Sequence, residues 1–398
     1  MNITDTLSVP DAVLPDYGDG GLLALARRFA RFVGGGEFVL PPGEMAQDEG
    51  AAEAPRIVVF LLVDGLGDGF LQRHGQGSRL LAHRVGRLTS VFPSTTASAV
   101  TTLMTGLAPA EHGLTGWFVR DVRLGGVVAP LPMRVRGGEA IVGRGVTRKL
   151  FPYRKMFERA RRSVVVLSPG SIAYSRYSRR HGQGARIVPY EGLDGLIEGI
   201  AAAVRTADAT RGLFVHAYWP DFDALSHACG SASDQVVALF GRLDEAFAAL
   251  TRRLAGTAAE VVVSADHGFV DSPPERQLVL AQCPDLGELL VSPLFGERRV
   301  VFCEVASGQH ERFEALASAW LGGRGTVLRS DDLVAAGWLG QGGHHPRLRE
   351  RVGSHAIVMA PGWTLMDTVP GEQAHTMLGV HGGVSADEMW VPLIRMRC

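Results

Sequence analysis

The sequence predicts an α/β protein: a mostly parallel central sheet with helices on both faces, plus a smaller inserted α+β lobe. Three observations lead there. Apolar runs without alternation recur at residues 56–63 (RIVVFLLV), 163–167 (SVVVL), 213–218 (LFVHAY) and 261–265 (VVVSA), as in strands covered on both faces. Helix-period stretches lie between them, at 193–204 and 234–254. Strands alternating with helices indicate a parallel sheet. The alternation then changes character after Asp271, where shorter elements read as a separate lobe.

Taken in order, residues 1–54 read as a peripheral N-terminal segment, with an amphipathic helix over 20–32 and an acidic loop over 43–54. The core is expected over 55–271 and 344–398, and the inserted lobe over 272–343. The first strand stops at Asp64-Gly65. A carboxylate directly after a buried strand stands at the sheet's C-terminal edge, where open α/β sheets place ligands, although D-G is also an ordinary turn. Residues 92–106 read FPSTTASAVTTLMTG. Pro before and Gly after bracket a helix over 95–105. A hydroxyl at its start adjoins unpaired N–H groups and the positive end of the dipole, a setting that suits phosphate as well as a plain N-cap. Residues 116–149 are Gly- and Val-rich and read as a hairpin or loop excursion. Within the lobe, a strand at 299–305, a helix at 310–321, a strand at 326–329 and a short helix from Ser330 are expected. The core is expected to resume at 356–360 and to end with 391–396.

Composition narrows the function classes. The 398 residues are 46% hydrophobic, enough for a sizeable core. A net charge of -1 gives no reason to expect a nucleic-acid polymer or an acidic membrane as partner. The four cysteines, Cys229, Cys283, Cys303 and Cys398, are widely spaced and read as free thiols in a reducing compartment. The N-terminus lacks the blocks of a signal peptide, and no apolar run approaches the length of a membrane span. A soluble, cytoplasmic protein is expected.

The chemistry gathers at strand ends. Asp223-x-x-x-His227 follows one strand, Asp266-His267 follows another, and His381 lies in GVHGG. Each has an ordinary structural reading when taken singly; an Asp-x-x-x-His step is also a plain i,i+4 helix contact. With Asp64 and Thr96 they make three carboxylates, three imidazoles and one hydroxyl. That inventory suits two neighbouring divalent cations with mixed N and O ligands, zinc first and manganese as the alternative. Paired cations suit in-line phosphoryl transfer.

The order D-G, P-S-T-T with a later T-G, D-x-x-x-H, D-H-G and H-G-G resembles the alkaline phosphatase superfamily, and within it the nucleotide pyrophosphatase/phosphodiesterase (type I phosphodiesterase) branch. The resemblance spans residues 56–397. It implies that Thr96 is the nucleophile and forms a phospho-threonine intermediate. It implies that Asp64, Thr96, Asp266 and His267 hold one metal and Asp223, His227 and His381 the other. Ser94 and Thr95 are neighbouring alternatives for the nucleophile, and Asp221 is a rival for Asp223 without the four-residue step to His227. Relatives that act on nucleotides carry an Asn that contacts phosphate; here Trp117 stands at that position, an aromatic suited to stacking on a ring or walling the pocket. Trp117 and Thr95 are the candidate substrate-binding residues. The implied activity is hydrolysis of a small-molecule phosphate ester or anhydride, a phosphodiesterase or nucleotide pyrophosphatase reaction. A phosphonoacetate-type C–P hydrolase, a phosphomonoesterase and an inactive metal-binding relative are the alternatives.

Overall fold

The computed structural model describes residues 9–41, 54–208, 210–372 and 376–398. Its centre is a seven-stranded sheet. We label these strands β1 (Ile57–Val63), β2 (Arg84–Thr89), β3 (Ser163–Pro169), β4 (Arg186–Tyr190), β5 (Leu213–Trp219), β6 (Ala259–Ser264) and β7 (Trp390–Arg397). The spatial order is β2-β7-β6-β1-β5-β3-β4. The five strands from β6 to β4 run parallel, and β7 is antiparallel to both β6 and β2. The unbroken apolar run of β1 is explained by its central place, since both faces are covered and Val58 to Val63 are all buried.

The covering helices include α1 (Leu22–Val33), α2 (Thr96–Thr105), α3 (Gly192–Arg205), α4 (Asp221–Cys229) and α5 (Asp234–Leu254). On α5 the apolar set Val236, Leu239, Phe240, Leu243, Phe247 and Leu250 is buried in the main core. The helix expected at 20–32 forms as α1, but it is not peripheral. Leu22, Leu25, Ala26, Phe29 and Phe32 are buried in the same core as the sheet. The Phe29 ring lies 4.7 Å from Phe60 on β1 and 5.0 Å from Phe214 on β5, centroid to centroid. The apolar face of α1 closes one side of the sheet, so this helix belongs to the core. The acidic loop expected at 43–54 lies almost wholly outside the described residues.

Residues 116–149 contain a three-stranded antiparallel sheet of Val119–Asp121, Gly126–Ala129 and Arg134–Val135. Beyond Asp271 a four-stranded antiparallel sheet has the order Phe295–Gly296, Val300–Cys303, His355–Met359, Gly325–Arg329. The strand read as the core resuming at 356–360 is in fact this sheet's third strand. A short buried apolar run does not say which sheet it joins. Its alternation serves two clusters: Ala356 and Val358 pack with Phe302 and Val352, while Ile357 and Met359 pack with Phe313 and Leu321 of the helix His310–Leu321. Among the described residues no helix is long and apolar enough to cross a membrane.

Phe29→Ala should lower unfolding stability by about 3–5 kcal/mol, the range for emptying a buried aromatic site. Urea denaturation measures it. A loss below about 1 kcal/mol, the level of an exposed substitution, would show that α1 is not part of the core.

Candidate functional site

The register of the sheet places the site. Val63 of β1 lies opposite Trp219 of β5, and Leu62 opposite Ser264 of β6. These three strands end level, so the residues that follow them emerge along one rim. Asp64 follows β1. Asp223 and His227, one turn apart on α4, follow β5 through Pro220. Asp266 and His267 follow β6. His381 follows Gly379–Val380, which pairs with Val270–Asp271. Thr96 is the first residue of α2.

All seven side chains converge. Thr96 Oγ1 lies 3.1 Å from His267 Nε2 and 3.5 Å from Asp64 Oδ1. His267 Nε2 lies 3.5 Å from both Asp64 Oδ1 and Asp266 Oδ2. Asp223 Oδ1 lies 3.4 Å from His227 Nε2, 3.7 Å from His381 Nε2 and 4.0 Å from His267 Nε2. Asp223 thus sits between two clusters, one with His227 and His381, the other with Asp64 and His267. The exposed Asp221 is not a competitor for its place.

Three features show that this set fits divalent cations. First, each imidazole gives its Nδ1 to a backbone carbonyl: His227 to Gly379 at 2.8 Å, His267 to Gly268 at 3.1 Å and His381 to Ser94 at 3.3 Å. Such contacts fix the tautomer and turn the Nε2 lone pair inward. Second, the Nε2 atoms of His227 and His381 stand only 3.2 Å apart, a contact that two lone pairs tolerate only with a positive charge between or beside them. Third, Asp223 Oδ1 and Asp266 Oδ2 are buried without a hydrogen-bond donor. Burial, and then the charges of Asp266 and its neighbours, push the Asp64 and Asp223 carboxyls well above the usual range. Burial lowers His267, pushes His227 down to about 4 and holds His381 well below its ordinary value, so all three are neutral donors at pH 7.

Backbone packing explains the glycines of these motifs. Gly65 has φ +78, and a Cβ there would lie 2.4 Å from the Phe269 ring. Its N–H donates to Asp266 Oδ1 at 3.0 Å, tying the first motif to the fourth. The His381 loop is held by Glu388, which accepts from Gly383 N at 2.8 Å and pairs bidentately with the buried Arg299 at 2.9 and 2.8 Å.

A cavity of about 350 Å³ opens beside Thr96, Asp223, His227 and His381. Thr95 and Trp117 line it. Trp117 is 39% exposed, at the mouth. Two neighbours were not foreseen. Tyr218 donates its hydroxyl to Asp64 Oδ2 at 2.5 Å. Its place near the end of a recognised strand was the only available signal. Glu297 accepts from Thr95 Oγ1 and from Trp117 N, each at 2.6 Å, so Thr95 does not cap its own helix. Nothing around LFGERRV marked Glu297 in the sequence.

The comparisons with known proteins agree with this geometry. The sequence profile of type I phosphodiesterase / nucleotide pyrophosphatase matches residues 58–384. Human ectonucleotide pyrophosphatase / phosphodiesterase 5 superposes with a TM-score of 0.62 at 17% identity, covering 85% of this chain and 87% of its own. The murine protein gives 0.61 at 18% identity over the same shares. Phosphonoacetate hydrolase from Sinorhizobium meliloti 1021, in complex with phosphonoformate, gives 0.62 at 17% identity, covering 86% of this chain and 90% of that one. No curated protein sequence matches. These structures share the alkaline phosphatase superfamily fold. The chain belongs to the type I phosphodiesterase / nucleotide pyrophosphatase family, within the alkaline phosphatase superfamily, and is a phosphoric-ester hydrolase of that kind.

Proposed function

We propose that this protein is a metal-dependent phosphodiesterase or nucleotide pyrophosphatase-type hydrolase that works through a phospho-threonine at Thr96. The observation that carries the reading is the position of the Thr96 hydroxyl. It stands at the N-terminus of α2, beside His267 Nε2 and Asp64 Oδ1, and on the wall of the cavity. The neighbours of known ligand fit this: an inactive variant of murine ectonucleotide pyrophosphatase / phosphodiesterase 5 in complex with AMP and a phosphonoacetate hydrolase in complex with phosphonoacetate.

Two divalent cations, zinc first and manganese as the alternative, would be held by Asp64, Asp266 and His267 with Thr96, and by Asp223, His227 and His381. Bound there, they supply positive charge to the phosphoryl group and ease deprotonation of a hydroxyl or water. The chain's own part follows from its geometry. Thr96 Oγ1 gives up its proton to solvent and attacks phosphorus; its bond to phosphorus forms, the bond from phosphorus to the leaving oxygen breaks, and that oxygen leaves with the electron pair and takes a proton from solvent. Unpaired N–H groups in the first turn of α2 face the phosphoryl oxygens. Water then attacks phosphorus from the vacated side and loses a proton to solvent, the bond to Thr96 breaks, and Thr96 Oγ1 takes a proton back, which restores the hydroxyl. Tyr218 holds Asp64 in place, and the Nδ1 contacts hold the three imidazoles. The four cysteines are unpaired, in keeping with a cytoplasmic enzyme.

Thr96→Ala should cut turnover of a p-nitrophenyl phosphodiester at least about a thousandfold, as loss of a nucleophile does elsewhere, with the fold unchanged by circular dichroism. Near-wild-type turnover would reject the assignment. Removal of metal by a chelator should lower the melting temperature, and zinc or manganese should restore it. A ligand at a hundred times its Kd contributes about 2.7 kcal/mol to the native state. An unchanged melt, with no metal in the purified protein, would count against the two-metal site. Tyr218→Phe should weaken metal retention about 10–100-fold in competition with a chelator, the usual cost of losing a ligand's supporting hydrogen bond. Unaltered retention would show that the Tyr218 contact does not position Asp64.

A further inference from the structure

Glu297 is brought into the site by close backbone approach. Phe118 and Gly296 exchange backbone hydrogen bonds of 3.2 and 2.8 Å. A Cβ on Gly116 would lie 2.6 Å from the Gly296 backbone, and one on Gly382 would lie 2.8 Å from Glu297 Cβ. These glycines let the second sheet press against the loops that carry Trp117 and His381. The Glu297 carboxylate then takes two donors next to the nucleophile, Thr95 Oγ1 and Trp117 N, both through Oε1. Its charge reaches the metal cluster, since it helps to raise the Asp223 carboxyl.

The rest of the chamber is apolar, with walls from Phe118, Leu294, Phe295, Leu365, Met366 and Met377. Its charged groups are Glu297, Asp367 and Glu372 against Arg136 and Arg298, a net negative set. Arg136 is committed to Asp367 at 2.7 Å and to Glu372 at 2.9 Å. Arg298 feels the charges of Glu297 and Glu372.

We propose that Glu297 is a specificity-determining residue: it admits phosphorus substrates with a single negative charge and an apolar organic group, and disfavours dianions. The favoured class is phosphodiesters of apolar or aromatic alcohols. The inference rests on the phosphoryl-transfer reading above and narrows it. A diester has two free phosphoryl oxygens and one charge. A monoester has three free oxygens and a second pKa of about 6, so it is largely dianionic above neutral pH. The two donors that would hold a third oxygen are already taken by Glu297, and the added charge would face a carboxylate in a half-buried chamber. Phosphonoacetate adds a further carboxylate to a wall whose guanidinium groups already face carboxylates.

The test compares the metal-loaded wild type with Glu297→Gln at about pH 8, where a monoester is dianionic. That is also above the value of about 7 to which burial pushes the Glu297 carboxyl. Gln keeps an oxygen for Thr95 and Trp117 N and removes only the charge. The substrates are bis(p-nitrophenyl) phosphate, p-nitrophenyl phosphate and phosphonoacetate. The wild type should favour the diester in kcat/KM. Glu297→Gln should raise the monoester-to-diester ratio by about tenfold or more, the scale of one like-charge contact at a partly buried site. Inorganic phosphate, titrated by thermal shift, should bind Glu297→Gln tighter by a similar factor, a readout that needs no turnover. An unchanged ratio and unchanged phosphate binding in an active enzyme would overturn this inference alone. A wild type that holds metal and hydrolyses no phosphorus ester would overturn it together with the function on which it rests.

Discussion

Three carboxylates and three imidazoles, drawn from four separate segments, share one buried pocket, and their mutual repulsion is the constraint on which the architecture turns. Asp64 and Asp223 each feel burial first and the Asp266 charge next. Moving one such ion out of water costs several kcal/mol unless an opposite charge meets it. The fold therefore holds a cluster that would relax if it were free to do so, and divalent cations bound as proposed above would offset that repulsion. The need to hold it explains the stiffness of its support. Level strand ends fix Asp64 and Asp266, one helical turn fixes Asp223 against His227, and backbone carbonyls fix each ring.

How much of this was legible depended on how local the signal was. The unbroken run of β1 ending at Asp64, the i,i+4 step from Asp223 to His227 and the Pro-to-Gly bracket around Thr96 are local patterns with a direct physical meaning. Their order along the chain carried the rest. Other features needed long-range contacts. The strand His355–Met359 is apolar like the core strands, and only pairing with Val300–Cys303 and Gly325–Arg329 assigns it to the second sheet. Helix α1 showed its apolar face in sequence, but not that β1 and β5 would be its partners. The bridging position of Asp223 is a matter of a few tenths of an ångström that spacing does not encode.

Glu297 illustrates the limit most clearly. The family resemblance implies an amide that meets phosphate at the position of Trp117. Here the side chain at that position faces the cavity mouth, while its backbone N–H is claimed by an acid from the turn between two distant strands. The departure was readable as a lost donor. What replaced the donor was not, because the replacing group lies 180 residues away in sequence.

The second sheet thereby becomes part of the catalytic unit rather than an appendage to it. Val300–Cys303 is preceded by two side chains that reach the core in different ways. Glu297 reaches Thr95 and Trp117. Arg299, fully buried, pairs with Glu388 and so holds the loop of His381. Buried pairs of this kind add little net stability over apolar packing, but breaking one leaves a buried charge at heavy cost. Such a pair is better suited to fixing a geometry than to strengthening a fold. One short segment thus sets both the place of the His381 imidazole and a charge in the cavity beside it. A change in how this sheet docks would move chemistry and selectivity together.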